Sequence, residues 1–78
     1  MKDDKFENYI FDLGKLIKEK ALEAKRIKES SSNDDKYNIG YLMAFHEVID
    51  IMKQQAVAFK IKQKDVGLDD MDPDSELL

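Results

Sequence analysis

The chain has no cysteine and no tryptophan, one proline, three glycines and a single histidine. Without cysteine, no disulfide and no thiolate metal cage can brace a fold, and the setting this suggests is reducing and cytoplasmic. The opening stretch MKDDKFENYIFDLGK carries acids where a secretory leader would be positive, and charges through what would be its apolar core. No leader is therefore expected. No apolar run approaches the roughly 18 residues that would suggest a membrane span. Strand-like alternation, glycine-rich phosphate loops and internal repeats are also missing. With 78 residues, one small domain is the most the chain can form.

Charge is unevenly spread. The last stretch, residues 65–78, holds Asp65, Asp69, Asp70, Asp72, Asp74 and Glu76 with no lysine or arginine. Those 6 acids leave 11 of the 17 against 13 basic residues in the remainder, so residues 1–64 stand at +2 while the whole chain stands at −4. The result is a nearly balanced body with an acidic tail. Duplex binding needs a clustered basic face that displaces counterions. Here Lys15, Lys18 and Lys25 alternate with acids, and the tail would repel phosphate. No nucleic-acid partner and no membrane partner are expected.

Residues 4–29 read as one helix. Phe6, Ile10, Leu13, Ile17, Ala24 and Ile27 recur every three or four positions, and Tyr9, Leu16 and Leu22 widen the stripe. Asp4 with Glu7 makes a capping box, and Lys25, Arg26 and Lys28 close the negative end of the dipole. ESSSNDDK then reads as a loop, because its side chains compete for backbone hydrogen bonds. Ser32 or Asn33 is the expected cap of a second helix over residues 34–64, closed by Lys60, Lys62 and Lys64.

A short loop makes the two helices antiparallel neighbours. A turn centred near Asn33 brings Ala24 near Tyr41, Ala21 near Ala44, Ile17 near Val48 and Phe6 near Phe59. The small residues Ala21, Ala24, Gly40 and Ala44 then cluster at one height and suggest close approach of the backbones. A helical glycine costs about 1 kcal/mol relative to alanine, so Gly40 asks for such a reason. The second helix carries one apolar line through Tyr41, Ala44, Val48, Ile51 and Phe59, assigned to the first helix. A second line through Leu42, Phe45, Ile49, Met52 and Ala56 is left over. One neighbour covers one line, and a lone two-helix seam is a poor core for so short a chain. The leftover line is accordingly the expected dimer interface.

His46, Glu47 and Asp50 form the motif His-Glu-x-x-Asp, one letter from a zinc-protease signature. His46 and Asp50 share a helix face and could hold a metal, with Glu47 as base. Yet a zinc protease needs a second histidine where Asp50 stands, and a di-iron bundle needs a carboxylate where Met43 stands. The preferred reading is a solvated strip with a His46–Asp50 surface pair, leaving no catalytic residue, metal or cofactor. Met43, Met52, Tyr9 and the phenylalanines read as core rather than as a ligand pocket. Gln55 lies beside the first apolar line, either buried against Tyr9 or reaching solvent at the edge.

In the tail, Asp70, Asp72 and Asp74 alternate like the start of a calcium loop. Ser75 occupies the position that should be glycine, so calcium is not expected. Asp72 as a cap before Pro73 suggests one terminal turn carrying Leu77 and Leu78. Val66, Leu68 and Met71 could pin the tail to the bundle; the other reading is a disordered acidic end.

GYLMAFHEV, MKQQAVAF and GLDDMDPD together resemble the motifs of a family of small, uncharacterised bacterial helical proteins. Their pattern is Gly-x-Leu-Met-Ala-Tyr-x-Glu-Val, then Met-Gln-Gln-Gln-Ala-x-Ala-Phe, then Gly-Leu-Asp-x-x-Asp-Pro-Asp. This chain departs at Phe45 and Lys53. The resemblance implies a bacterial helical protein, an ordered tail motif and no known activity. The expectation as a whole is an all-α fold, an antiparallel helical hairpin dimerising into a four-helix bundle. Its function is expected to be non-enzymatic protein–protein contact, with itself and with a further protein partner.

Overall fold

The computed structural model describes residues 4–31 and 35–78. Two long helices, α1 (Asp4–Ser30) and α2 (Lys36–Ala58), are followed by a 3-10 turn (Gln63–Val66) and a short helix α3 (Pro73–Leu77). No strand occurs among the described residues. At a rise of about 1.5 Å per residue the long helices measure roughly 40 and 35 Å. They lie side by side in a body of 51 × 21 × 17 Å.

Asp4 is already the first helical residue of α1, so a cap ahead of it falls outside the described residues. The cap of α2 is Asp35, and Ser32 and Asn33 also lie outside them. One carboxylate oxygen of Asp35 accepts from the Asn38 amide at 3.1 Å, and the other from the Asn38 side chain at 2.8 Å. The Asn38 backbone amide, one of the first-turn donors without an intrahelical partner, is thereby satisfied.

α2 stops at Ala58, six residues before the expected end at 64. Its terminus is a Schellman arrangement: the Lys60 amide donates to the Val57 carbonyl at 3.0 Å, and the Ile61 amide to the Ala56 carbonyl at 2.7 Å. Lys60 takes φ 58°, a left-handed conformation where glycine is usual. The stop therefore carries no glycine or proline to announce it.

The early stop lets the tail fold back. Leu68, Met71 and Leu77 are fully buried with Ile49, and Val66 joins the same core. Asp72 caps α3 by accepting from the Asp74 amide at 3.2 Å, with Pro73 opening the helix. Leu78 stays exposed. The tail is a third layer across both long helices.

That layer reverses the expected faces of α2. Leu42, Ile49 and Ala56 are buried within the single chain, with Phe45 and Met52 packed against them. The line assigned to α1 is the exposed one: Tyr41, Ala44, Val48, Ile51 and Phe59 all face outward. On α1 the inward line runs through Gly14, Ile17, Ala21 and Ala24. The small residues of this line, Gly14, Ala21 and Ala24, let neighbouring elements come close to α1.

The predicted close approach at Gly40 and Ala44 is absent, since a side chain on Gly40 would meet nothing within 4 Å and Ala44 is exposed. Ala21 and Ala24 are buried as expected of small seam residues. The glycine that permits contact is Gly14. A Cβ there would overlap the Val66 carbonyl oxygen and come 2.8 Å from its carbon. Gly67, at φ 74°, lies against the Phe11 carbonyl from the other side.

Candidate interaction face

His46, Glu47 and Asp50 line one open surface cleft of α2 with Met43 and Ala44, but His46 and Asp50 pair with different partners. The His46 ring Nε2 lies 2.7 Å from an Asp74 carboxylate oxygen, joining α2 to α3 instead of to Asp50. Asp50 accepts from the Gln54 amide at 2.8 Å, and Glu47 is exposed. Among the described residues no three His, Asp or Glu side chains gather as a metal-holding group. The three tail aspartates also diverge: Asp70 pairs with Lys18, Asp72 caps α3 and Asp74 meets His46.

The lysines that a nucleic-acid role would have needed are engaged as well. Lys18 donates to both Asp70 oxygens at 2.9 and 3.0 Å. That hydrogen bond and the ammonium charge hold the Asp70 carboxyl below its ordinary value of 3.8. Lys25 donates to the Leu78 carbonyl at 3.2 Å, and Lys15 stands over the Phe11 ring at 5.3 Å. Lys53 reaches the Met71 carbonyl.

These contacts orient the hairpin. Lys18, Lys25, His46 and Lys53 each follow directly after an inward residue, namely Ile17, Ala24, Phe45 and Met52. One residue is a turn of about 100° about a helix axis. On antiparallel helices the same offset points both toward one side of the pair, here the tail side. Residues directly preceding the inward lines must then share the opposite side.

That opposite side is open and oily. On α1 it carries Phe6, Tyr9, Leu13 and Leu16, of which only Leu13 is half-buried; Phe6 is 69% exposed. On α2 it carries Tyr37, Tyr41, Ala44, Val48, Ile51 and Gln55, all exposed, with Ile51 at 51%. Gln55 is thus at the solvent edge, and Tyr9, Met52 and Gln55 do not enclose a pocket. Tyr37 and Tyr41 stack at 6.2 Å, and Tyr41 meets Phe45 edge-on at 5.1 Å. A separate cleft of about 530 Å³ at the far end of the hairpin is floored by Phe6, Ile10, Phe11 and Ile61.

Surface area carries the same message. The chain exposes 5827 Å², where a compact chain of 9.1 kDa should expose roughly 4,900 Å². The excess follows from the elongated body and its uncovered side. Contiguous apolar faces of this kind mark interaction sites.

No helix among the described residues is long and apolar enough to cross a membrane. Comparison with known proteins adds no relative: no family model matches the chain, and neither a curated protein nor a solved structure matches it significantly.

Proposed function

We propose that the chain is a non-enzymatic helical protein that works through protein–protein contact, with two copies joining along the open face as a four-helix bundle. The observation that carries this reading is the uncovered apolar side bearing Phe6, Tyr9, Leu16, Tyr41, Val48 and Ile51. The sequence resemblance to small bacterial helical proteins would make it a bacterial example, and it brings no activity with it; a chain without cysteine suits a reducing, cytoplasmic setting. The tail side, rich in acids, is left free for a further protein partner.

Sedimentation at micromolar concentration tests the reading. The expected result is a dimer that Val48→Asp and Ile51→Asp convert to a monomer retaining helical circular dichroism, because both positions are exposed in the single chain. A wild-type chain sedimenting as a well-folded monomer would sink it.

A further inference from the structure

The open lines of α1 and α2 share one repeat. On α1, Phe6, Tyr9, Leu13, Leu16, Lys20, Glu23 and Ile27 alternate steps of three and four. On α2, Tyr37, Tyr41, Ala44, Val48, Ile51, Gln55 and Ala58 do so too. This is the spacing of a coiled-coil seam. Read antiparallel, the two lists fall into layers: Phe6 with Ala58, Tyr9 with Gln55, Leu13 with Ile51 and Leu16 with Val48. Next come Lys20 with Ala44, Glu23 with Tyr41 and Ile27 with Tyr37. Within one chain these residues lie on the same open side of the helix pair, where their side chains point away from the core rather than at one another.

We propose that the second copy binds about a two-fold axis parallel to the helices, laying α1 of each chain on α2 of the other, with both hairpin loops at the same end. This rests on the dimer reading above and specifies which surfaces meet. Every layer then joins compatible chemistry. Leucine meets β-branched aliphatics, as in Leu16 on the partner's Val48 and Leu13 on the partner's Ile51. The two charges that interrupt the α1 line also find partners. Lys20 meets a small residue flanked by the partner's Glu47, and Glu23 meets the hydroxyl of the partner's Tyr41.

The other closed arrangement turns the second hairpin end for end, so that α1 lies on α1 and α2 on α2. It would lay Lys20 near the partner's Leu13 and Glu23 near the partner's Tyr9. Lys20 would then lie against a leucine rather than the small Ala44, which leaves its stem less room to carry the charge to solvent, although the partner's Asp12 stands beside that leucine. A homodimer must be self-complementary under its own symmetry, and the helix-parallel axis satisfies that along the full seam.

The chain has no cysteine of its own, so introduced thiols report the orientation without background. Single variants Leu16→Cys and Val48→Cys, at positions exposed in the single chain, are mixed, refolded together and oxidised. Disulfides need Cα atoms about 4.4–6.8 Å apart. The expected result is a cross-linked dimer as the main product in the mixture and little in either variant alone. Leu13→Cys with Ile51→Cys gives a second, independent pair. Dimers that cross-link through Leu16→Cys alone would overturn the orientation and leave the dimer standing. A chain that sediments as a monomer would remove both.

Discussion

At the residue scale, the three glycines separate cleanly by what surrounds them. Gly14 faces the Val66 carbonyl, and its substitution must push the 3-10 turn away from α1. Alanine gains about 1 kcal/mol of helix propensity, but overpacking of this kind costs about 1–3 kcal/mol or more. Gly14→Ala is expected to lower the urea midpoint, while Gly40→Ala, in open space, should raise stability by about 1 kcal/mol. Equal effects at the two sites would contradict the packing described. Lys60 is the mirror case. A non-glycine left-handed residue costs about 1–2 kcal/mol, so Lys60→Gly should stabilise the chain despite its greater unfolded-state entropy, and chemical denaturation would read the difference.

At the scale of elements, the tail is what converts two helices into a core. Truncating Leu68 or Leu77 to alanine removes a fully buried side chain and should cost about 2–5 kcal/mol. That is enough to unfold so small a domain or strip the tail from it, seen as lost protection of residues 66–77 from hydrogen exchange. The Lys18–Asp70 clasp adds a pH dependence. Because the folded carboxyl titrates below its ordinary value of 3.8, its contribution is complete above that value and is lost as pH falls through the lower folded one. Asp70→Asn should therefore be less stable than wild type near neutrality, and the gap should close in acid. Asp70 is fully exposed, so the gap will be small.

How far these elements could be read beforehand differs for each. The extent of α1 and its dipole charges were legible because period and electrostatics agree, but of the expected stripe Phe6, Ile10 and Ile27 are exposed, and Ile17 and Ala24 are the members that reach the core. Asp72 and Pro73 were legible as well, because their chemistry admits few other roles. The end of α2 was hidden because Lys60 occupies a conformation its residue type does not advertise. The inward face of α2 was hidden for a different reason. Two apolar lines one residue apart are almost equally oily, and the choice depends on where the tail docks and where small meets large. Gly14 offered the missing clue, since a glycine inside α1 raises the same question that Gly40 did.

At the scale of the whole molecule, the tail covers one side of the helix pair and the other side stays bare. Its radius of gyration, 13.9 Å, exceeds the roughly 11.5 Å of a compact chain of this length, as expected of a hairpin 51 Å long. If folding and pairing are coupled, mass action makes apparent stability depend on protein concentration. The thermal midpoint should rise as the wild-type chain is concentrated. The same series with Val48→Asp should be flat and lower, because that substitution touches only the open face. Ile49→Ala, one residue away but fully buried, should lower the midpoint at every concentration and keep the slope. A wild-type midpoint independent of concentration, together with a Val48→Asp midpoint equal to it, would mean that the open face contributes nothing to folding. The apolar side would then have to be covered by something other than a second copy.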